Sequence, residues 1–377
     1  MGSIHKALRL LYFSRDYTTH DHRFLTSLAR TDHEVYYLRL ERRGHQLEDR
    51  ALPPEIKQVP WMGGNTPARL QDGIGLFKDL KSVIRKVKPD LVQAGPLQRS
   101  AFLVALTGYR PLLSMSWGYD LILDANRNML WRWMTRYALK RSTIMVGDCD
   151  TIRQLAISHG MPDERIVTFP WGIDLRHFSP GEDSNKSSQD KSAFMLLSTR
   201  GWEPIYGVDV IARAFVLAAR QYPELQLLML GKGSLATDLH QIFISGGVED
   251  RVHFTGQVSQ DDLPRFYRSA DLYVSASHSD GTSISLLEAM GCGRPVLVSD
   301  IPGNKEWVIS DYNGWLFPDG DVAALADSIA HAIDNRERIS QIGANARQLA
   351  EQRANWDVNF LELLKAYDLA LSIVSGQ

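Results

Sequence analysis

Short runs of aliphatic and β-branched residues alternate along this chain with longer stretches in which apolar positions return every three or four residues. The first kind predicts strands and the second amphipathic helices, and their regular alternation predicts parallel sheets covered by helices on both faces. Strands are expected over 8–13, 34–40, 91–94 and 111–116, with helices over 22–30 and 76–88, the latter stopped by Pro89. The alternation then halts. Between Pro180 and Ala193 the chain reads Gly-Glu-Asp-Ser-Asn-Lys-Ser-Ser-Gln-Asp-Lys-Ser, which has no apolar side chain to bury and predicts a linker or exposed loop. Beyond it, strands are expected over 194–198, 226–230, 252–255, 272–276 and 295–299. Helices are expected over 208–221, 234–245, 260–269, 283–291 and 322–334, and a last one over 355–373. The fold class is therefore α/β, with two doubly wound Rossmann-like domains: residues 1–180, a linker over 181–193, residues 194–354, and a C-terminal helix within 355–377. In such sheets ligands bind at the carboxyl ends of the strands, so the loops after strands are where chemistry is expected.

With 377 residues, 44% of them hydrophobic, the chain can bury two cores, which agrees with two domains. Its two cysteines, Cys149 and Cys292, lie far apart and support neither a disulfide framework nor a thiolate zinc site, as expected of a reducing cytoplasm. The apolar run Leu10 to Phe13 behind Lys6 and Arg9 is too short for a signal-peptide core or a membrane span. Without a secretory signal, the sequon Asn185-Lys186-Ser187 reads as accidental. The net charge of −2 hides a division: residues 1–180 hold 26 Lys and Arg against 18 Asp and Glu, and the remainder 16 against 26. A basic first half suits an anionic membrane or a phosphorylated acceptor, and equally an ordinary soluble surface; no recognition motif for nucleic acid accompanies the charge.

The richest loop runs from Ser279 to Glu306. Asp280 and Gly281 end a loop after a strand, and Thr282 or Ser283 can cap the helix that follows, leaving backbone NH groups aimed outward. A diphosphate there meets NH donors and the positive end of the helix dipole, and Gly281 permits close approach. Glu288 lies eight residues after Asp280, about 12 Å away if the intervening segment is helical. That spacing suits the two ends of an extended ligand and exceeds the carboxylate separations of glycosidases. The alternative is an ordinary capped helix with a surface glutamate.

This segment resembles the donor-binding signature of family 4 retaining glycosyltransferases with the GT-B fold. Asp280, Glu288, Ala289-Met290, Gly293-Arg294-Pro295-Val296 and Pro302-Gly303 to Glu306 carry the likeness. Pro170-Trp-Gly-Ile-Asp174, Ser198-Thr-Arg200 with Tyr206-Gly207, Gly231-Lys232-Gly233, Phe254 to Val258 and Asn313-Gly314 follow in the family's order. The resemblance implies two domains facing across a cleft, with the last helix crossing back to brace the first. It implies that Glu288 bonds the donor ribose, Asp280 the transferred sugar, and the backbone of Gly281, Thr282, Ser283 and Ile284 the phosphates and sugar. Arg200 would bind the diphosphate and the backbone near Val258 would read the base. No metal or other cofactor is implied. The acceptor hydroxyl would attack from the face the diphosphate leaves, so no protein nucleophile is needed, and no such motif is present.

Four departures stand out. Asp280 replaces the usual Glu. Tyr206 replaces a lysine before Gly207, and Lys232 reads either as a compensating cation or as a solvated loop lysine. Trp117-Gly118-Tyr119-Asp120 stands where many relatives carry His-Gly-x-Asp; Trp117 can stack on a sugar, and Asp120 is expected either to orient an acceptor hydroxyl or to serve as a turn residue. The loop from Ser14 to Arg23 lacks paired glycines and offers Arg23 for acceptor contact; His20-Asp21-His22 lacks a third metal ligand. In the stretch 126–141, Leu130, Trp133, Met134 and Tyr137 share one helical face and Arg132, Arg136 and Lys140 another. That face either meets a lipid headgroup layer or packs on its own sheet. The expectation is a cytoplasmic retaining transferase, peripheral on the inner face of the membrane, moving a sugar from a nucleotide-diphosphate sugar, UDP favoured, to a polysaccharide or lipid-linked acceptor. The alternatives are a nucleotide-sugar-binding protein with little activity and a GT-B-fold UDP-sugar epimerase.

Overall fold

The computed structural model describes residues 7–42, 48, 50–181 and 193–376. These divide into two compact units: the residues up to Phe169 together with those from Phe360 onward, and Pro170–Asn359. The division falls ahead of the boundary read from composition. Residues 170–180 belong with the second unit, because Ile173 bridges to Asn355 and Phe178 is buried in that unit's core. The expected linker, with its sequon, lies outside the described residues except at its ends.

The first unit is a seven-stranded, wholly parallel sheet built from β1 (Arg9–Ser14), β2 (Glu34–Arg39), β3 (Lys57–Gln58), β4 (Leu91–Gly95), β5 (Leu112–Met115), β6 (Ile144–Gly147) and β7 (Ile166–Thr168), in the order β3-β2-β1-β4-β5-β6-β7. Central strands such as Arg-Leu-Leu-Tyr-Phe-Ser and Leu-Val-Gln-Ala-Gly are buried along almost their whole length, as strands covered on both faces must be. The helices α1 (Thr19–Leu28), α2 (Gly73–Val87), α3 (Phe102–Thr107), α4 (Tyr119–Ile122), α5 (Met129–Arg141) and α6 (Asp150–Ser158) connect the strands. α2 buries Leu76, Leu80, Val83, Ile84 and Val87 at helical spacing and ends as expected before Pro89, with Lys88 in the left-handed conformation.

The second unit has a six-stranded parallel sheet in the order β10-β9-β8-β11-β12-β13, formed by β8 (Phe194–Ser198), β9 (Leu225–Leu230), β10 (Val252–Gly256), β11 (Leu272–Ser275), β12 (Val296–Ser299) and β13 (Gly314–Phe317). Its helices are α7 (Val208–Ala218), α8 (Ala236–Gly246), α9 (Leu263–Ser269), α10 (Ile284–Gly291), α11 (Pro302–Lys305), α12 (Val322–Asp334) and α13 (Ile339–Arg353). Both sheets are doubly wound, with the reversal of strand order beside β1 in the first and beside β8 in the second. The last helix, α14 (Trp356–Ser375), begins in the second unit and continues in the first, where the Tyr367 hydroxyl donates to Gln93 of β4.

Candidate functional site

In the second unit the sequence motif lands on the switch point of the sheet. Arg200 lies two residues beyond β8, and the loop 276–283 leaves the neighbouring strand β11 to start α10. Ser283 occupies the N-cap position of α10 with extended backbone, yet its side chain makes no cap hydrogen bond. Its hydroxyl instead accepts from Arg200 Nη1 at 3.1 Å, and Ser285 Oγ accepts from the same nitrogen at 3.2 Å. The first amides of α10 are thus left without the side-chain acceptor that usually satisfies them.

Arg200 Nη2 donates to Asp280 Oδ2 at 2.7 Å, and the Tyr206 ring covers the guanidinium carbon at 4.2 Å. The Nε of Arg200 is buried with no hydrogen-bond partner among the described residues. Burial works against the arginine charge, but Asp280 and the surrounding tyrosines more than offset it and raise the pKa. Burial likewise lifts the Asp280 carboxyl above its ordinary range, opposed by Arg200. A partly buried ion pair of this kind adds little to stability. It does keep a planar cation in place.

Two glycines fix the loops around this pair. A Cβ on Gly207, whose φ is +57°, would lie 2.1 Å from the Ala276 carbonyl oxygen, so the Tyr206-Gly207 turn sits directly against the end of β11. A Cβ on Gly303 would lie 2.2 Å from the Gly281 oxygen. The 231–234 loop also approaches: Trp202 N donates to the Lys232 oxygen at 3.0 Å, and Ser234 Oγ donates to Glu203. Lys232 itself is exposed and makes no ion pair among the described residues.

Glu288 is not a surface residue. It is buried on α10, where Oε1 accepts from Gln260 Nε2 and Oε2 from the Tyr267 hydroxyl, both at 2.9 Å. Gln260 belongs to the loop after β10 that also carries Val258, so that loop and Glu288 are tied together. Burial, then the Glu288 charge, pushes the Tyr267 hydroxyl well above its usual range, so it remains a donor. Because α10 begins only at Ile284, the helical distance from Asp280 to Glu288 does not apply; what separates the two carboxylates is their partners.

Residues 181–349 match the family model described as glycosyl transferases group 1, and residues 18–177 match that of glycosyltransferase family 4. The chain belongs to the family 4, group 1 glycosyltransferases. The D-inositol 3-phosphate glycosyltransferase of Thermobispora bispora is 27% identical over 237 residues, 59% of this chain and 54% of that protein. The phosphatidyl-myo-inositol mannosyltransferase of Mycobacterium leprae is 31% identical over 170 residues, 44% of each chain. The aligned part thus spans about half the length of these curated relatives. The structure of HepE from Anabaena in complex with UDP-glucose superposes with a TM-score of 0.77 at 19% identity, covering 96% of this chain and 99% of that one. The shared fold is GT-B.

The first unit of this family 4 glycosyltransferase treats its expected site residues differently. Asp120 is completely buried, and its carboxylate accepts from Ser116 Oγ at 2.5 Å, Leu97 N at 3.0 Å, Leu121 N at 3.1 Å and Trp117 N at 3.2 Å. The expectation that it orients an acceptor hydroxyl is corrected: with four donors and no exposed surface it clamps the loops after β4 and β5. Burial lifts its pKa to about 6 against those donors. Trp117 rests on α1, its ring 5.3 Å from His20 and 6.0 Å from Phe24, and Arg23 lies half-buried on the same helix. Asp21 is buried as part of the capping box with Thr18 and accepts from the Tyr12 hydroxyl at 3.0 Å. Among the described residues no group of three or more His, Cys, Asp or Glu is placed to hold a metal ion.

α5 divides its expected aromatic face: it buries Thr135, Ala138 and Leu139, leaves Leu130 and Trp133 exposed, and packs Tyr137 against the core of the first unit. Sequence reasoning missed Gln260, Tyr267 and Ser285. The one signal that could have found them is that a tyrosine on an apolar helix face, such as Tyr267 on α9, must find a polar partner once buried.

Proposed function

We propose that this chain is a retaining glycosyltransferase that moves a hexose from a nucleotide-diphosphate sugar, UDP-sugar favoured, to a polysaccharide or lipid-linked acceptor. The observation that carries the reading is Arg200, held between Asp280 and the side-chain-uncapped start of α10 at the switch point, with buried Glu288 further along the same helix. The diphosphate replaces Asp280 on the guanidinium and takes the free α10 amides, which frees Asp280 for the sugar hydroxyls. Glu288 takes the ribose, oriented by Gln260 and Tyr267, while the Val258 backbone meets the base.

As the bond from C1 to the β-phosphate oxygen breaks, charge grows on that phosphate, and Arg200 with the amides stabilises it more than in the ground state. The acceptor oxygen bonds to C1 on the departing face, and its proton passes to a phosphate oxygen. UDP as nucleotide is supported by HepE, whose structure was solved with UDP-glucose, and a lipid-linked acceptor by the name of the Mycobacterium leprae relative. Peripheral attachment to the inner membrane face accompanies such an acceptor; among the described residues no helix is long and apolar enough to cross a membrane.

The test is a thermal-shift screen of UDP-, GDP- and ADP-sugars against wild type, Glu288→Gln and Glu288→Ala, followed by assay of free nucleotide release. Stabilisation by one nucleotide class, lost in both variants, is expected; stabilisation by none removes the assignment. A second reading, sugar-nucleotide binding with little transfer, is favoured by Tyr206 standing where relatives carry a second cation. Saturable binding without release of free nucleotide in the presence of acceptors would select it.

A further inference from the structure

We propose that the exposed face of α5, together with the adjoining edge of α3, docks on an anionic lipid bilayer. This deepens the lipid-linked reading of the acceptor, although it concerns a surface and not the donor site.

α5 is a firmly formed helix, with Asn128 Oδ1 accepting from Trp131 N at 3.0 Å at its start. It turns Thr135, Ala138 and Leu139 inward. At 100° per residue, Arg132, Arg136, Met129 and Lys140 follow one another around the remaining arc, and Trp133, Tyr137 and Leu130 continue it. Met129 is 86% exposed, Leu130 58% and Trp133 52%. Trp133 meets Phe102 of α3 edge to face at 5.6 Å, and Leu106, one turn along from Phe102, is also exposed, so the apolar strip continues onto α3.

The charge is as one-sided as the apolarity. α5 contains Arg132, Arg136, Lys140 and Arg141 and no acidic residue, and Arg127 precedes it. Among the described residues Arg127, Arg132, Arg136 and Lys140 make no ion pair. Unpaired cations flanking exposed Met, Leu and Trp complement a layer that is anionic at its surface and apolar just beneath, where an interfacial helix buries its apolar side. A second copy fits poorly: an isologous contact would bring two rows of unpaired cations together. A phosphodiester chain would satisfy the cations and leave Met129 and Leu130 without partners.

Flotation of the full chain with vesicles tests this. Binding is expected to vesicles of phosphatidylcholine with one-third phosphatidylglycerol, to be weaker with phosphatidylcholine alone, and to fall with added salt. The double variant Arg132→Glu, Arg136→Glu should lose roughly tenfold or more in partition, since each basic residue near such a surface contributes on the order of fivefold. Leu130→Ser with Trp133→Ser, which leaves the charge intact, should also weaken binding severalfold. Absence of binding to anionic vesicles, or binding unchanged in both double variants, overturns the proposal. So does a dimer seen by light scattering that the Leu130→Ser, Trp133→Ser variant abolishes. Wild type is assayed in parallel for sugar-nucleotide stabilisation: stabilisation without binding to anionic vesicles sinks the docking surface alone, vesicle binding without stabilisation sinks the donor site alone, and the double variants should keep the stabilisation.

Discussion

The two sheets end in loops that use charge in opposite ways. Beyond β8 and β11, Arg200 is held on its periphery by an aspartate, two serine hydroxyls and a tyrosine ring, and its counter-ion Asp280 can give way to another anion. Beyond β5, Asp120 has four donors at fixed distances, two of them backbone amides of its own turn, and nothing can replace it without opening the loop. A charge balanced by one carboxylate side chain can exchange that partner for another anion; a charge saturated largely by backbone donors cannot. On the proposed function, that difference gives the first a part in the reaction and leaves the second to the scaffold, although both sit at carboxyl ends of parallel strands.

The largest effect expected to test this contrast is at Arg200. Arg200→Ala should lower the rate of nucleotide release from the donor by about 10²- to 10³-fold, the usual cost of deleting one donor to a developing anion. Arg200→Lys should lose much of the same rate, because an ammonium cannot span Asp280 and both serines. Retention of more than about a tenth of the rate in the alanine variant would sink the role. Next comes Glu288→Gln, which keeps the volume and removes the charge; a lost charged hydrogen bond of about 1.5–3 kcal/mol should weaken donor binding roughly ten- to hundredfold by calorimetry.

Why the residues of the second unit's candidate site could be grouped from the sequence and those of the first could not follows from where the partners lie. Asp280, Gly281, Thr282, Ser283, Ile284 and Glu288 occupy one loop and the helix it starts, so their spacing alone implies a common site. Arg200 is distant in sequence, but β8 and β11 are neighbours and loops after neighbouring strands converge. The partners of Asp120 include Leu97 from another loop, and no spacing announces that its carboxylate is already full. The same blindness affected α5: its period showed an aromatic side and a basic side, and tertiary packing on Thr135, Ala138 and Leu139 decided which faced water. Strands such as β6 and β7 passed unnoticed because short apolar runs carry no period.

Asp120 offers the next test, in stability and not in rate. Asp120→Asn sets an amide NH₂ against one of the donors it now accepts from and should cost about 1–3 kcal/mol in urea unfolding. Sugar-nucleotide stabilisation should survive in the folded fraction. The pH dependence carries a sign. The folded pKa of about 6 lies above the ordinary 3.8, so the folded state binds the proton more tightly. That contribution is complete below about pH 4 and is lost as pH rises through about 6, at roughly 1.4 kcal/mol per pH unit. Asp21, also raised to about 6 by burial, adds the same trend. Glu34, held near 2 first by Lys57 and then Arg9, acts in the opposite sense only below about its ordinary 4.5. In the asparagine variant the slope between about pH 4 and 6 should fall by the Asp120 share, leaving that of Asp21 and of Asp16, Asp124, Asp271 and Asp280, which burial also raises; an unchanged slope would mean that Asp120 is not the titrating group.

The smallest expected effect probes what replaces the missing lysine. Tyr206 stands over Arg200 at 4.2 Å and the adjoining Gly207 is pressed against Ala276, so the ring has little room to leave. A ring face contributes about 0.5–2 kcal/mol to a neighbouring guanidinium and restricts its rotation, which a second ammonium would not do. Tyr206→Phe preserves the face and should keep the donor turnover within about twofold, whereas Tyr206→Ala should lower kcat roughly three- to tenfold with KM for the donor nearly unchanged. A loss confined to KM would place the ring in ground-state binding of the nucleotide. Equal losses in the phenylalanine and alanine variants would place its contribution in the hydroxyl, and the guanidinium would then be held by Asp280 and the serines alone.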